Sequence, residues 1–186
     1  MTLRLPWRQS RAGCADLRAG SLRLVAISPA MLRVDEARDW PQLAAMLRAE
    51  VSAEWPPREW EPHVYRFILA QYEEFPATEG WHRYMVLSDG LGRQRRLVGA
   101  VGAFPKTGGE AEIGYSTLPE FQRRGLATAA ARALTEWLLQ QDGVASVTAC
   151  TYPPMGESIK VMERCGMRYV GDGDEPGSVK YRRTRG

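Results

Sequence analysis

Along residues 110–141 the apolar pattern changes its period. EAEIGYST (110–117) alternates as a strand does, whereas Ala127, Ala130, Ala131, Leu134 and Leu138 recur at helical spacing. The junction, PEFQRRG, holds a proline, two arginines and a glycine. A strand running through so short a turn into a helix commits this part of the chain to an α/β layer, with one face of the helix packed on a sheet. The helix start exposes backbone N–H groups and the positive end of the helix dipole, so a basic turn there suits an anion, most often phosphate. An ordinary surface turn with two solvated arginines is the alternative reading.

The remaining elements follow the same logic. SLRLVAI (21–27) alternates, and Ser28-Pro29 supplies an N-cap and first-turn proline for helical sequence to about Val51, with a break at Pro41. AEWPPREWEP (53–62) reads as a proline-rich loop. A helix follows over 63–75, with Val64, Phe67, Ile68 and Tyr72 on its apolar face. WHRYMVLS and RRLVGAVGAF form a hairpin about DGLG. After the central strand and helix come a strand over 145–151, a helix over 156–166 ended by glycine, and a closing strand pair, MRYVG and SVKYRR. The predicted order is β-α-α-β-β-β-α-β-α-β-β in one domain over 21–186, preceded by a basic, weakly ordered extension over 1–20.

Charge and cysteine usage narrow the function. Residues 1–23 hold five Arg against Asp16, and 180–186 hold Lys180, Arg182, Arg183 and Arg185 without an acid, so the net +3 hides a negative middle. The ends read as frayed, and no basic stripe for nucleic acid is expected on the folded part. No apolar run reaches the ~20 residues of a membrane span, and the first residues lack a signal peptide's apolar stretch. A cytoplasmic protein is expected. Cys14, Cys150 and Cys165 have no C-x-x-C spacing, which predicts reduced thiols and no metal site. His63 and His82 read as surface residues, and GYSTL (114–118) lacks the final glycine of a hydrolase nucleophile elbow.

Two segments together are more specific. Q-R-R-G-L-A (122–127), between a strand and a helix, resembles the Q/R-x-x-G-x-G/A pyrophosphate loop of the GNAT superfamily of N-acetyltransferases. YPPMGESIKVMERCGMRYVG (152–171) is similar to a later helix of that superfamily, N-x-x-S-x-x-V-x-E-K/R-x-G-F, in the branch that acetylates ribosomal-protein N-termini. The resemblance implies a single-domain GNAT-like fold, a mixed central sheet flanked by helices, and acetyl-CoA (coenzyme A) as cofactor. It implies that Gln122, Arg123, Arg124, Gly125, Leu126, Ala127 and Thr128 hold the pyrophosphate, that Tyr115, Ser116, Thr117 and Leu118 run along the pantetheine arm, and that Ser158 lies near the coenzyme. Met155 and Met162 replace the usual asparagine and the tyrosine that protonates the departing thiolate, which leaves the general acid open among water, Ser158 and Tyr152.

Transfer needs a base, since an ammonium must lose a proton before it attacks a thioester. Glu110 and Glu112 share one face of the strand with Gly114 and Ser116. Glu112 resembles the superfamily's strand glutamate in that role. The acceptor side, about 29–88, holds ten Asp and Glu against six Arg and several tryptophans. That points to a cationic amine, a peptide N-terminus or a small molecule, lined by Trp55 and Trp60. The expected activity is therefore acetyl transfer to a primary amine in a ternary complex. A non-catalytic acyl-CoA sensor with the same fold is the alternative. A homodimer is compatible with either.

Overall fold

The structure, a computed structural model, describes residues 15–58 and 60–185. Its strands are β1 (Leu17–Ala19), β2 (Leu22–Ala26), β3 (Glu50–Val51), β4 (Arg83–Ser88), β5 (Arg95–Pro105), β6 (Glu110–Thr117), β7 (Ser146–Thr151), β8 (Arg168–Asp172) and β9 (Val179–Thr184). The helices are α1 (Pro29–Glu36), α2 (Trp40–Leu47), α3 (Pro62–Glu74), α4 (Leu126–Leu138) and α5 (Gly156–Arg164). One mixed sheet runs β1-β2-β4-β5-β6-β7-β9-β8, with β3 beside β5. β6 and β7 are parallel, while β5–β6 and β7–β9 are antiparallel.

Local chemistry explains most boundaries. Ser28 Oγ accepts from Met31 N at 3.2 Å and Asp39 Oδ1 from Gln42 N at 3.1 Å, so each of the first two helices has its own cap and the break falls just before Pro41. α4 buries Ala130, Ala131, Leu134 and Leu138 against β6, β5, β2 and β1. Arg83, wholly buried, lies 4.7 Å from the Trp137 ring on that same side. On the opposite face α3 buries Tyr65, Ile68 and Tyr72, and Phe67, expected inside, is 57% exposed. The face is turned because Gln71 is drawn inward: its side chain donates to Thr78 Oγ1 and to the Ala103 carbonyl and meets His82 Nε2 at 3.0 Å.

Several expectations are corrected here. His82 is buried, its ring filling the space above Gly102, where a Cβ would stand 2.1 Å from Nδ1. Leu17–Ala19, assigned to the extension, pairs with β2, and the rest of that extension, with Cys14, lies outside the described residues. The basic C-terminal run is not frayed. Lys180, Arg182 and Arg183 belong to β9, and Arg185 donates to the Leu139 and Gln141 carbonyls.

Candidate active site

The parallel pair β6–β7 is joined only through Glu110↔Ser146, Ala111↔Val147 and Glu112↔Thr148. Beyond these, β6 stays with β5 as far as Thr117, and β7 stays with β9 as far as Thr151. The sheet therefore parts into a wedge whose closed end is at Glu112. Its open end lies toward the carboxyl ends of both strands, where α4 and α5 begin. Parallel strands that separate expose backbone N–H and C=O groups, which an extended chain can use as a strand would.

At the open end the turn is shaped by backbone conformation. Arg123 has φ 60° and Gly125 φ 76°, both in the left-handed region, and no atom stands within 4 Å of a Cβ placed on Gly125. α4 has no side-chain cap, so the first-turn N–H groups of Leu126, Ala127 and Thr128 have no intrahelical partner. Arg124 lies over the Phe121 ring at 5.3 Å, and Arg123 helps hold Glu157 below the usual carboxylate range, after the larger effect of Lys160. Gln122 donates to the Thr117 carbonyl at 3.0 Å, tying the turn to the strand. Leu118 is fully buried and its N–H bonds the Val98 carbonyl. The Thr117 hydroxyl is buried without a hydrogen-bond partner among the described residues.

Inside the wedge, Tyr115 Oη reaches across to α5, 3.0 Å from Ser158 Oγ and 3.1 Å from the Ser158 carbonyl. Burial pushes the Tyr115 phenol up to about 12. Met162 is buried in the core, so α5 presents no hydroxyl at that position. Tyr152 is exposed and hydrogen-bonds Glu175, which raises its pKa.

Alternation brings Glu110, Glu112, Gly114 and Ser116 to the α3 side of β6, but the two carboxylates have different surroundings. Glu110 contacts Lys180 at 2.6 Å and Arg182 at 3.1 Å. Burial pushes its carboxyl up, yet the bonds and charge of Lys180, with Thr148 and Arg182, outweigh that and hold it below the usual range. A carboxylate so bound is a weak base, which favours Glu112 over Glu110 for that role. Glu112 Oε2 lies 3.4 Å from Lys106 Nζ, which is also 2.8 Å from Asp174. Next to Glu112, Gly114 is exposed and a Cβ there would meet nothing within 4 Å, so the floor beside the carboxylate is open.

The two expected acceptor tryptophans are mostly interior. Trp55 is 3% exposed and its Nε1 donates to Asp35 Oδ1 at 2.7 Å. Tyr84 donates to Asp35 Oδ2 at 2.6 Å. Burial pushes the Asp35 carboxyl up, partly countered by hydrogen bonds from Tyr84, Trp55 and Tyr65. Trp60, half-buried, packs 5.9 Å from Trp55 and 5.5 Å from Tyr65. Trp55 is thus a core residue holding a buried carboxylate, not an acceptor-lining one. Neither this cluster nor the Lys106–Asp174–Lys180–Arg182 network was found in the sequence. The alternation of Lys180 and Arg182 on a strand facing Glu110 was a usable signal.

Comparison with known proteins agrees with this geometry. Residues 31–168 match the family model for the acetyltransferase (GNAT) domain. An uncharacterised N-acetyltransferase, YjdG, of Bacillus subtilis (strain 168) is 28% identical over 155 residues, 81% of this chain and 88% of that protein. An acetyltransferase structure from Agrobacterium tumefaciens str. C58 superposes with TM-score 0.61 at 20% identity, covering 95% of this chain and 98% of the other. A ribosomal L7/L12 α-N-protein acetyltransferase solved with coenzyme A gives TM-score 0.56 at 15% identity, covering 91% and 97%.

Proposed function

Because the chain belongs to the GNAT acetyltransferase family, we propose that it moves an acetyl group from acetyl-CoA to a primary amine by direct attack in a ternary complex. The observation that carries this reading is the parting of β6 from β7 beyond Glu112, with the basic turn of residues 122–125 at the open end.

The residues present fit the cofactor. Its pyrophosphate matches the N–H groups from Arg123 to Thr128, the open space at Gly125 and two flanking guanidiniums. Tyr115, Ser116 and Thr117 supply the strand edge for an extended arm, the edge ending at Leu118, whose N–H and carbonyl are already bonded, and Ser158 stands opposite, fixed by Tyr115. Acetyl-CoA, when bound, supplies an acetyl group activated as a thioester. Glu112 takes the proton from the acceptor ammonium, so that a neutral amine is present at the closed end of the wedge. Tyr115 Oη is protonated at neutral pH, and burial raises its pKa further. The acceptor approaches over Gly114, between Glu112 and Ser116, with Trp60 the more open of the two tryptophans. A cationic amine, either a peptide N-terminus or a small molecule, suits a site whose central group is a carboxylate. Action in the cytoplasm belongs to the same reading and is supported by the free thiols of Cys150 and Cys165.

The test is Glu112→Gln, which keeps shape and removes the base. Turnover of an amine acceptor should fall by about 10²-fold with acetyl-CoA affinity unchanged. Wild-type turnover in that variant would overturn the assignment. One observation favours the sensor reading, namely that Glu112 is already ion-paired with Lys106. Binding of acetyl-CoA without transfer to any of a panel of peptides, polyamines, aminoglycosides and amino acids would select it.

A further inference from the structure

The chain has three lysines: Lys106, Lys160 and Lys180. They differ in what their amines touch. Lys160, on α5, has a side chain 58% exposed and pairs with Glu157 one turn away. Lys180 is 14% exposed and held by Glu110 at 2.6 Å. Lys106 follows β5, and its N–H bonds the Glu110 carbonyl at 2.7 Å, which sets its backbone beside the first residue of β6. From there the side chain, 37% exposed, brings Nζ to 3.4 Å from Glu112 Oε2.

That position is unusual for a surface lysine. Glu112 is the carboxylate at the closed end of the wedge, and Oε2 has no other hydrogen-bond partner among the described residues. A primary amine of this chain therefore already occupies the place that an acceptor amine must take. Nζ is shared between Glu112 at 3.4 Å and Asp174 at 2.8 Å, and the Lys106 and Asp174 side chains are 37% and 57% exposed, so the second pair is open to solvent. The four-carbon stem leaves it free to swing within the site.

Resting on the acetyltransferase reading above, we infer that Lys106 is a self-acetylation site of this enzyme. Glu112 accepts a proton from the Lys106 ammonium. The neutral Nζ attacks the carbonyl carbon of the acetyl thioester, the C–N bond forms and the C–S bond breaks. The sulfur leaves as a thiolate and takes up a proton, and the second Nζ proton is lost to water. The products are an acetyl-lysine amide and free coenzyme A thiol, with no oxidant or reductant needed. The amide carries no charge, so Lys106 then lets go of both Glu112 and Asp174. Asp174 loses its 2.8 Å partner and keeps the longer pair with Lys180 at 3.9 Å, while the segment before β9 stays tied through Tyr152 and Glu175. Self-modification would thus clear the base for an outside amine.

The experiment is incubation of the full chain with acetyl-CoA and no acceptor, followed by intact mass and peptide mapping. The expected result is one added acetyl group at Lys106, with Lys160 and Lys180 unmodified. Glu112→Gln should slow that labelling by at least about tenfold. Lys106→Arg should remain unlabelled while still being stabilised thermally by acetyl-CoA. Labelling of Lys160 equal to or above that of Lys106 would indicate chemical acetylation and overturn the inference, as would labelling indifferent to Glu112→Gln. No labelling in a preparation that acetylates an added amine overturns self-acetylation and leaves the acetyltransferase reading standing. No labelling, no transfer and no stabilisation by acetyl-CoA overturns both.

Discussion

β6 borders two regions built in opposite ways. Toward α4 and α5 the chain withholds side chains: Gly125 opens the turn, α4 starts without a cap, and β7 leaves its partner after three residue pairs. Toward α1 and α3 it fills the space, with Asp35 bonded to Trp55 and Tyr84, the Trp60 ring packed at a tilt against both and His82 seated over Gly102. A site for a polar, charged ligand needs unpaired backbone groups at its edge, and those are safe only where water or ligand reaches them. The opposite side pairs the polar atoms of its buried network, Asp35 with Trp55 and Tyr84 and Gln71 with Thr78 and His82. The contrast teaches that the face proposed for the cofactor is marked by what is left unsatisfied, and the opposite face by a buried network that is satisfied.

The contrast breaks most visibly at Trp55. Trp55→Ala removes a buried ring and leaves Asp35 short of a donor, so unfolding stability should fall by about 3–5 kcal/mol in urea titrations. A variant of wild-type stability with a raised acceptor KM would put Trp55 back in the acceptor site. The next effect is a pH dependence at His82. Burial lowers its pKa from 6.5 to about 3, so as pH falls through 6.5 the unfolded chain gains a proton that the folded chain does not. Stability is then lost toward pH 3, at roughly 1.4 kcal/mol per pH unit within that window. Asp35, raised by burial, acts with the opposite sign, so the readout is the difference in slope between wild type and His82→Gln above pH 5. Equal slopes would contradict a neutral, buried His82. The smallest effect sharpens the other side. Tyr115→Phe removes the bridge to Ser158, and the unliganded protein should lose only about 0.5–1.5 kcal/mol. The rise in Tm caused by acetyl-CoA should shrink as well. An undiminished rise would remove Tyr115 from the wedge.

The same contrast decides what could be read from residue order. The turn and α4 were legible because their structure is local: a glycine, small residues in the first turn and a change from alternate to helical spacing all lie within one short segment. Glu110 and Glu112 were placed on one face by alternation alone, but their different surroundings, Glu110 held by Lys180 and Arg182 and Glu112 paired with Lys106, depend on side chains from other elements. Trp55 and Trp60 were assigned to the acceptor because they lie in a proline-rich loop. Asp35, distant in sequence, draws that loop inward, and no periodicity reports a buried carboxylate with indole and phenol donors. β1 and β3, of three and two residues, are too short to show alternation and exist because neighbouring strands offer an edge.

The central claim is that the start of α4 holds the pyrophosphate of acetyl-CoA, and Thr128→Glu tests it most directly. Thr128 is the third residue of α4, where a carboxylate is favourable to the helix dipole, so the unliganded Tm should hold or rise slightly. The same charge would face the phosphates. Thermal unfolding with and without acetyl-CoA should therefore show a ligand-dependent rise in Tm for wild type, growing with ligand concentration, and little or none for Thr128→Glu. Equal rises in the two proteins, or none in wild type, would contradict the account.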